Sequence, residues 1–305
     1  MDDITKDLLS EVSDYKDGYK GAYNIRENGC CVGRQSTDNI KIVGLPNNAG
    51  MEIRVAPGTK GERVSIPACV THGDVNDEVI NDFYIGEGAD VVIVAGCGVH
   101  TVTGEPARHS GKHRFFLGKG SRVLYQEKHI GTGKGAGIRT IDPVTEITLE
   151  DDAYFEMDSS QLGGVDHTKR VTRAVVGKNA KLLIRERILT EKEQFAETDF
   201  DVEMNGEGSG VDLISRSVAR DKSYQTYRSR IVGNAPCSGH SECDAIIVDG
   251  GRVDAAPELT ANHGDAALIH EAAIGKIAGE QILKLQTLGL TEAEAEAKIV
   301  QGFLK

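Results

Sequence analysis

Five segments of the sequence repeat one pattern: a turn rich in glycine, asparagine or aspartate, then a small residue, then a strand of alternating polarity. They begin at residues 86, 118, 150, 177 and 206, so their spacing is 27 to 32 residues. Turn-plus-strand units at a nearly constant spacing are typical of a β-solenoid, because each coil buries its strand by stacking on the next one. The pattern predicts a mainly β fold with a right-handed parallel β-helix core; a large antiparallel sandwich is the alternative.

The glycine content agrees with such a fold. The chain has 36 glycines among 305 residues, while aromatic residues make up 5% and tryptophan is absent. Glycine adopts the positive φ angles that tight turns need, and a solenoid repeats such turns in every coil. A collagen-like chain is excluded because about one residue in three would be glycine at a strict period. Recurrent valine and isoleucine exclude a disordered chain.

Helical patterns flank the predicted strands at both ends of the chain. Apolar residues at helical spacing predict a short helix over residues 2–13. Near the C-terminus, residues 267–273 and 279–286 also have a helical pattern, and a capping box at Thr291 and Glu294 begins a last helix that reaches Phe303. The sequence therefore divides into an N-terminal helical segment (1–20), a β-helix core (21–264) and a C-terminal helical subdomain (265–305).

The charge of the chain narrows the classes of partner. There are 35 basic and 47 acidic residues, which gives a net charge of −12. An acidic protein repels phosphate backbones and anionic lipid surfaces, so we expect neither nucleic acid nor membrane as a partner. The sequence has no run of 18 apolar residues, and its first residues lack the apolar region of a secretory signal. We therefore expect a cytoplasmic protein with reduced thiols.

Two common catalytic motifs are missing. Residues 131–137 are glycine-rich, but no serine or threonine follows their lysine and no helix pattern begins there, so a loop is favoured over a phosphate-binding motif. Residues 238–241 lack the strand–turn–helix context of a serine hydrolase elbow. We expect this chain neither to hydrolyse ATP nor to use a serine nucleophile.

Potential metal ligands gather in two places. His109 and His113 lie four residues apart, but their segment has a strand pattern, which favours satisfied surface histidines over a metal site. The C-terminal third is richer in thiol, imidazole and carboxylate groups, a mixture that suits iron or zinc. These residues are Cys237, His240, Glu242, Cys243, Asp244, Glu258, His263, Asp265, His270 and Glu271.

The same region carries a family resemblance. The order and spacing of its motifs resemble the C-terminal core of the SufB/SufD family, the scaffold subunits of the SUF iron–sulfur cluster assembly machine, and the pair His270-Glu271 is closer to SufB. The motifs are Gly239 to Ile247, Pro257-Glu258-Leu259, His270-Glu271-Ala272, Gln281-Ile282-Leu283, Leu288-Gly289-Leu290, and the residues from Glu294 to Phe303. The resemblance implies a β-helix core flanked by helices and identifies the chain as a compact SufB-like member.

The resemblance also implies the residues that carry the function. Cys243 matches the proposed cluster-building cysteine and would accept sulfur and bind iron, with His270 and Glu271 as further metal ligands. His270 would also favour the thiolate form of the nearby cysteine. Cys97 matches a cysteine proposed to receive sulfur from a donor. The cofactor would be a transient iron–sulfur cluster.

Partners follow from the resemblance as well. The C-terminal helices would dock a SufC-type ATPase, and the chain would pair with itself as a homodimer or with a SufD-like paralogue, placing the cluster at the dimer interface. The apolar residues suited to the ATPase groove are Ile282, Leu285, Leu288, Ile299 and Phe303. The chain itself would be an assembly scaffold and not an enzyme. Two alternatives remain: a metal-dependent enzyme that uses Cys243, His270 and Glu271, and a structural solenoid that only binds a partner.

Overall fold

The fold is a β-solenoid, in a computed structural model that describes residues 3–13, 15–16 and 18–305. Strands make up 59% of the chain and form about eight turns of the solenoid. The helices are α1 (Asp3–Ser13), α2 (Gly279–Gln286) and α3 (Glu292–Phe303). The strands are β1 (Ala22–Glu27), β2 (Cys30–Gln35), β3 (Ile40–Gly44), β4 (Gly50–Val55), β5 (Lys60–Val70), β6 (Val75–Ile85), β7 (Asp90–His100), β8 (Ala107–Leu117), β9 (Arg122–Thr132), β10 (Arg139–Ile141), β11 (Val144–Leu149), β12 (Tyr154–Leu162), β13 (His167–Val176), β14 (Lys181–Thr190), β15 (Phe195–Met204), β16 (Ser209–Ala219), β17 (Tyr224–Gly233), β18 (Cys237–Ile247), β19 (Arg252–Ala261) and β20 (Ala266–Gly275).

Alternate strands form the two walls of the solenoid. One wall has the order β2-β1-β5-β7-β9-β12-β14-β16-β18-β20, and the other runs from β19 through β17, β15, β13, β10, β8, β6 and β4 to β3, with β11 between β13 and β8. From β4 and β5 onward, neighbouring strands pair in parallel. The predicted parallel β-helix core is therefore confirmed, and the antiparallel sandwich is not what forms.

The repeated turns form one corner of the solenoid. The third residue of each of the five sequence units has a φ between 54° and 73°, and the small residue after it is at most 1% exposed. Each left-handed residue donates its backbone N–H to a carbonyl oxygen of the next coil, which fixes the stacking. These residues are Gly88, Gly120, Asp152, Asn179 and Gly208.

The space between the two walls is filled with apolar side chains. Phe83 and Phe115, one coil apart, stack with ring centroids 4.3 Å apart, and Phe155 contacts Phe115 edge-on at 5.0 Å. Stacked identical side chains in successive coils are a direct result of the near-constant repeat. Toward the corner opposite the turns, the interior instead holds buried polar and charged groups.

Helix α1 lies on the outside of the wall formed by β5, β7 and β9. It buries Leu8, Leu9 and Val12. The backbone of β7 is close to the helix at Gly96, where an added Cβ would lie 2.3 Å from the carbonyl oxygen of Val12. The predicted helix over residues 2–13 is confirmed from Asp3 onward, and residue 2 lies outside the described residues.

The two ends of the solenoid differ. Antiparallel strands close the first end, where β2 pairs with β1 and β3 pairs with β4. At the other end, β19 and β20 are the last strands of their walls, and Ala255, Leu259, Ala266 and Leu268, which pack on the core, are only partly buried. We call β19 and β20 the open end.

The C-terminal part differs from the prediction in one element. The predicted helix over 267–273 is wrong, because these residues form β20 and pair with β18 over ten positions. Alanine, leucine and glutamate favour helices, but the parallel ladder of the preceding coil outweighs that weak preference. The capping box at Thr291 and Glu294 is present as predicted. Helix α3 packs through Val300 beside the wall, against the cluster that contains Val218 and Val248.

Candidate functional site

The open end holds Cys243 and His270 on one face of the wall. Ser241 pairs with His270, and Cys243 pairs with Ala272. Because side chains alternate along a strand, Cys243 and His270 both face the interior as diagonal neighbours, a relation in which Cβ atoms lie about 7 to 8 Å apart or somewhat less. The Nδ1 atom of His270 is buried and has no hydrogen-bond partner among the described residues. The structure therefore brings these two predicted site residues together.

Glu271 lies on the opposite face of the same wall. It pairs with Glu242 and is 68% exposed, so the backbone of β18 and β20 separates its carboxylate from the Cys243 thiol. The three residues that the family resemblance implies as metal ligands are thus divided in a single chain, two inside and one outside.

Cys243 is a protonated thiol in this environment. Its residue is 1% exposed, and burial raises the pKa of the thiol to about 12, with Glu186 and Asp244 adding negative charge in the same direction. The expectation that His270 would favour the thiolate is not met, because burial and the nearby carboxylates act against the thiolate. Deprotonation of Cys243 requires a cation or exposure to water.

A row of buried charged groups leads away from Cys243 through the interior. Ser215, the strand neighbour of Cys243, donates a hydrogen bond of 3.0 Å to Glu186. Arg170 lies between two carboxylates, 3.1 Å from Glu186 and 2.7 Å from Glu127. Burial raises the pKa of Glu186 in spite of Arg170. At Glu127, burial also opposes ionisation, but His129 and Arg170 outweigh it and hold the pKa well below its usual range.

Cys97 lies at the far end of this row. It is 5% exposed and pairs with His129 of the next strand. Burial and the Glu127 charge raise the pKa of the Cys97 thiol well above its usual value. Cys97 on β7 and Cys243 on β18 are five strands apart along the wall, which corresponds to about 24 Å at ~4.8 Å per strand. The structure therefore does not bring the two predicted cysteines into contact; buried polar groups lie between them.

His109 and His113 are buried in the interior, so their prediction as surface histidines is wrong. Both are satisfied, however, as expected: His109 bonds to Asp77 at 3.0 Å, and His113 bonds to Tyr125 at 2.7 Å. Alternate side chains of their strand face the interior, and both histidines are among them. The Asp77 carboxylate, which also accepts from Arg26, offsets the free-energy cost of burying the His109 imidazole. Burial lowers the pKa of His113 to about 4, so this ring is neutral.

Sequence reasoning placed Cys243, His270 and Glu271 in one ligand set and did not single out a separate group on the outer face. The ligand atoms of His240, Glu242 and Glu271 lie within 4.8 Å of one another on the outer face at the open end. Two signals in the sequence point to this group: His240 and Glu242 are two residues apart, which places them on one face of a strand, and Glu271 follows Glu242 by 29 residues, the length of one coil.

The C-terminal helices leave apolar surface exposed. Leu283 is 61% and Leu288 is 75% exposed, whereas Ile282, Leu285, Ile299 and Phe303 are half-buried. A groove of about 470 Å³ lies between the turn after β18 and the two helices. None of the helices among the described residues is long and apolar enough to cross a membrane.

Known proteins are similar to this chain in sequence. A family model described as "SUF system FeS cluster assembly, SufBD core domain" matches residues 81–303. The chain is similar to an iron–sulfur cluster assembly SufBD family protein of Methanothermobacter thermautotrophicus strain Delta H, with 31% identity over 84% of this chain and 62% of the relative. A protein of the same description from Archaeoglobus fulgidus is 31% identical over 84% of this chain and 68% of its own length. The chain thus spans about two thirds of the length of these relatives.

Proposed function

Because the chain belongs to the SufBD family of iron–sulfur cluster assembly proteins, we propose that it is a scaffold on which a nascent iron–sulfur cluster is built at the open end of the solenoid. The family implies a role in iron–sulfur cluster assembly. The proposal adds the place and the residues: Cys243 as sulfur acceptor and iron ligand, His270 as a second ligand, and Glu271 as a third. The chain would act in the cytoplasm as a scaffold, and turnover of ATP would belong to a partner.

The observation that carries the proposal is the pair formed by Cys243 and His270. A thiol and an imidazole suit iron, and here they share the inner face of β18 and β20, the last two strands of the wall. Among the described residues, the Nδ1 atom of this imidazole is buried and has no hydrogen-bond partner, which is the state expected of a metal ligand before its ion binds. Within one chain, Glu271 can share an iron with Cys243 only if β20 moves away from β18. In a dimer, the Glu271 carboxylate of a second chain can supply this ligand instead.

The raised pKa of Cys243 fits a site that binds metal only after the thiol has been exposed. A buried neutral thiol is inert, whereas a thiol that binds a metal ion releases its proton to water or a nearby base as the metal–sulfur bond forms. We propose that a SufC-type ATPase docks on α2 and α3 and shifts the open end from a buried to an exposed state. The exposed Leu283 and Leu288 and the adjoining groove are the surface for that partner.

The open end also supports the proposed dimer. Two copies would meet there, or one copy would meet a SufD-like paralogue, so that ligands from both chains surround the cluster. In the part of the chain that the structure describes, no further strand pairs with the outer edges of β19 and β20, and core residues beside them are only partly buried; proteins normally cover both features.

Cys97 is proposed as the residue at which sulfur is received. In that step the thiolate of Cys97 attacks the outer sulfur of a donor persulfide; a new S–S bond forms on Cys97 and the donor leaves as a thiolate. No net oxidation occurs, and one proton leaves Cys97 before the attack. Since Cys97 lies about 24 Å from Cys243, direct transfer between the two thiols of one folded chain is not part of the proposal.

Anaerobic reconstitution with iron and sulfide tests the scaffold role. Wild type is expected to gain a visible chromophore, and Cys243→Ala to lose most of it, because the buried thiolate ligand is gone. Cys237→Ala is the matched control, since Cys237 is also a buried cysteine on the inner face of β18. A wild-type protein without a chromophore, or a Cys243→Ala variant with an unchanged one, would contradict the proposal and favour the purely structural alternative.

A further inference from the structure

We propose that His240, Glu242 and Glu271 form a binding site for a divalent transition-metal ion on the outer face of the open end. Their ligand atoms lie within 4.8 Å of one another, and His240 Nε2 lies 3.7 Å from Glu271 Oε2. The site is separate from Cys243 and His270, which face the interior on the other side of the same two strands.

The imidazole of His240 is held in the orientation that a metal ligand needs. Its Nδ1 atom lies 2.8 Å from Asp212 Oδ1, on the neighbouring strand β16. When Nδ1–H donates to this carboxylate, the lone pair of Nε2 is left facing Glu271. A carboxylate that orients a histidine in this way is the usual outer partner of metal-binding imidazoles.

The carboxylates of the group repel one another in the absence of a cation. Glu242 and Glu271 are directly paired across β18 and β20, a position in which like charges destabilise a sheet. Arg216 is the nearby basic partner, and it lies 3.7 Å from Glu242. With Asp212 and Asp244 on the same face, the acidic groups outnumber that single arginine. An ion bound between Glu242 and Glu271 would turn this repulsion into attraction.

The donor set selects the class of ion. One imidazole nitrogen and two carboxylate oxygens suit Fe²⁺, Mn²⁺ or Zn²⁺ and lack the thiolates that an iron–sulfur cluster prefers. Adjacent donors around such an ion lie ~3 to 3.5 Å apart, so small side-chain rotations close the present spacing. Glu271 is 68% exposed, which leaves room for water ligands and for exchange with solvent.

The natural ion is Fe²⁺ if the proposed function holds, and this part of the inference rests on it. Glu242 directly precedes Cys243 in β18, and Glu271 directly follows His270 in β20. An iron ion bound on the outer face is therefore one residue along the chain from each inner ligand. The outer site would hold iron at the edge of β20 before the inner thiol is exposed. It would be a supply site for single ions and not the place where the cluster is built.

The test is a titration of the full chain with Mn²⁺ alone, in which the electron paramagnetic resonance signal of free Mn²⁺ reports binding. Wild type is expected to bind one Mn²⁺ per chain, and Fe²⁺ added anaerobically is expected to displace it. His240→Gln and Glu242→Gln should weaken binding about tenfold or more, and Asp212→Asn, which only misorients His240, about ten- to hundredfold. Circular dichroism confirms that each variant is folded.

Glu203→Gln is the matched control, because Glu203 is an exposed outer-face glutamate on β15, away from this group. It should leave the Mn²⁺ affinity unchanged. Weak binding without saturation, or equal loss in Glu203→Gln and Glu242→Gln, would overturn the site. Cys243→Ala should keep Mn²⁺ binding while losing the reconstituted chromophore, so failure of the outer site and failure of the scaffold role give different results.

Discussion

Asp77 shows how one interior carboxylate is kept ionised. Burial alone would raise its pKa, but hydrogen bonds from His109 and Arg26 outweigh burial and lower the pKa to about 2. The Arg26 guanidinium contacts the carboxylate through both Nε and Nη2, at 2.9 Å and 2.6 Å. These contacts link the hairpin of β1 and β2, at the end of the solenoid that antiparallel strands close, to the coils that carry Asp77 and His109.

The pKa of Asp77 makes stability depend on pH in a defined direction. A carboxyl group whose pKa is lower in the folded state stabilises the fold above the unfolded pKa near 4, and this contribution is lost as the pH falls toward 2. We expect Asp77 to contribute about 2 kcal/mol to the free energy of unfolding at neutral pH. In urea unfolding, the difference in the free energy of unfolding between wild type and Asp77→Asn should narrow below about pH 4. A difference of constant size across that pH range would contradict this assignment.

Single residues also show where sequence reasoning ends. Cys243, His270 and Glu271 were found from the order of motifs, yet the motif could not tell that neighbours in sequence face opposite sides of a strand. His270 and Glu271 lie on opposite faces because residues 267–273 form part of strand β20 and not the predicted helix. The raised pKa of Cys243 depends on Glu186, which is 57 residues away in sequence, and no local pattern contains that contact.

At the scale of elements, the turns were predictable because their constraint is local. A corner that needs a positive φ selects glycine, asparagine or aspartate, and that choice repeats with every coil at positions such as Gly88 and Asn179. The last strand was not predictable in this way. Residues 267–273 contain good helix formers, and their structure is set by pairing with β18 one coil earlier.

The docking of α1 supplies an element-scale prediction. Gly96→Ala would place a Cβ 2.3 Å from the carbonyl oxygen of Val12, so the helix must shift outward or β7 must bend. We expect a loss of about 1 to 3 kcal/mol in the free energy of unfolding, typical of overpacking. Urea unfolding followed by circular dichroism measures this loss, and limited proteolysis reports release of α1.

Gly104→Ala is the control for that experiment. Gly104 lies in the loop after β7, and a Cβ there would meet no atom within 4 Å. Its effect should stay within about 0.5 kcal/mol, as for ordinary surface changes. Equal effects of the two substitutions would show that close contact with α1 is not the reason for Gly96.

At the scale of the whole molecule, the difference between the two ends of the solenoid matters most. The closed end is covered by antiparallel strands, whereas the open end keeps core residues partly exposed. A repeat protein normally needs a cap at each end, because an uncovered coil exposes apolar surface and a free strand edge. The helices α2 and α3 do not meet this need, because α3 packs beside the wall near Val218.

This asymmetry predicts that the open end is an interface between two copies. Ile274 lies on β20, paired with Ala245, and is 41% exposed. We expect the wild-type protein to have twice the chain mass of 32.8 kDa in solution. Ile274→Lys should weaken the dimer, because a buried lysine would lose its hydration.

Val175→Lys is the control, since Val175 is also 41% exposed but lies on β13 in the middle of the other wall. Sedimentation over a range of concentrations measures both. A monomeric wild type would show that two copies do not pair, and equal dissociation of the two variants would place the dimer interface elsewhere; either result would contradict an interface between two copies at the open end.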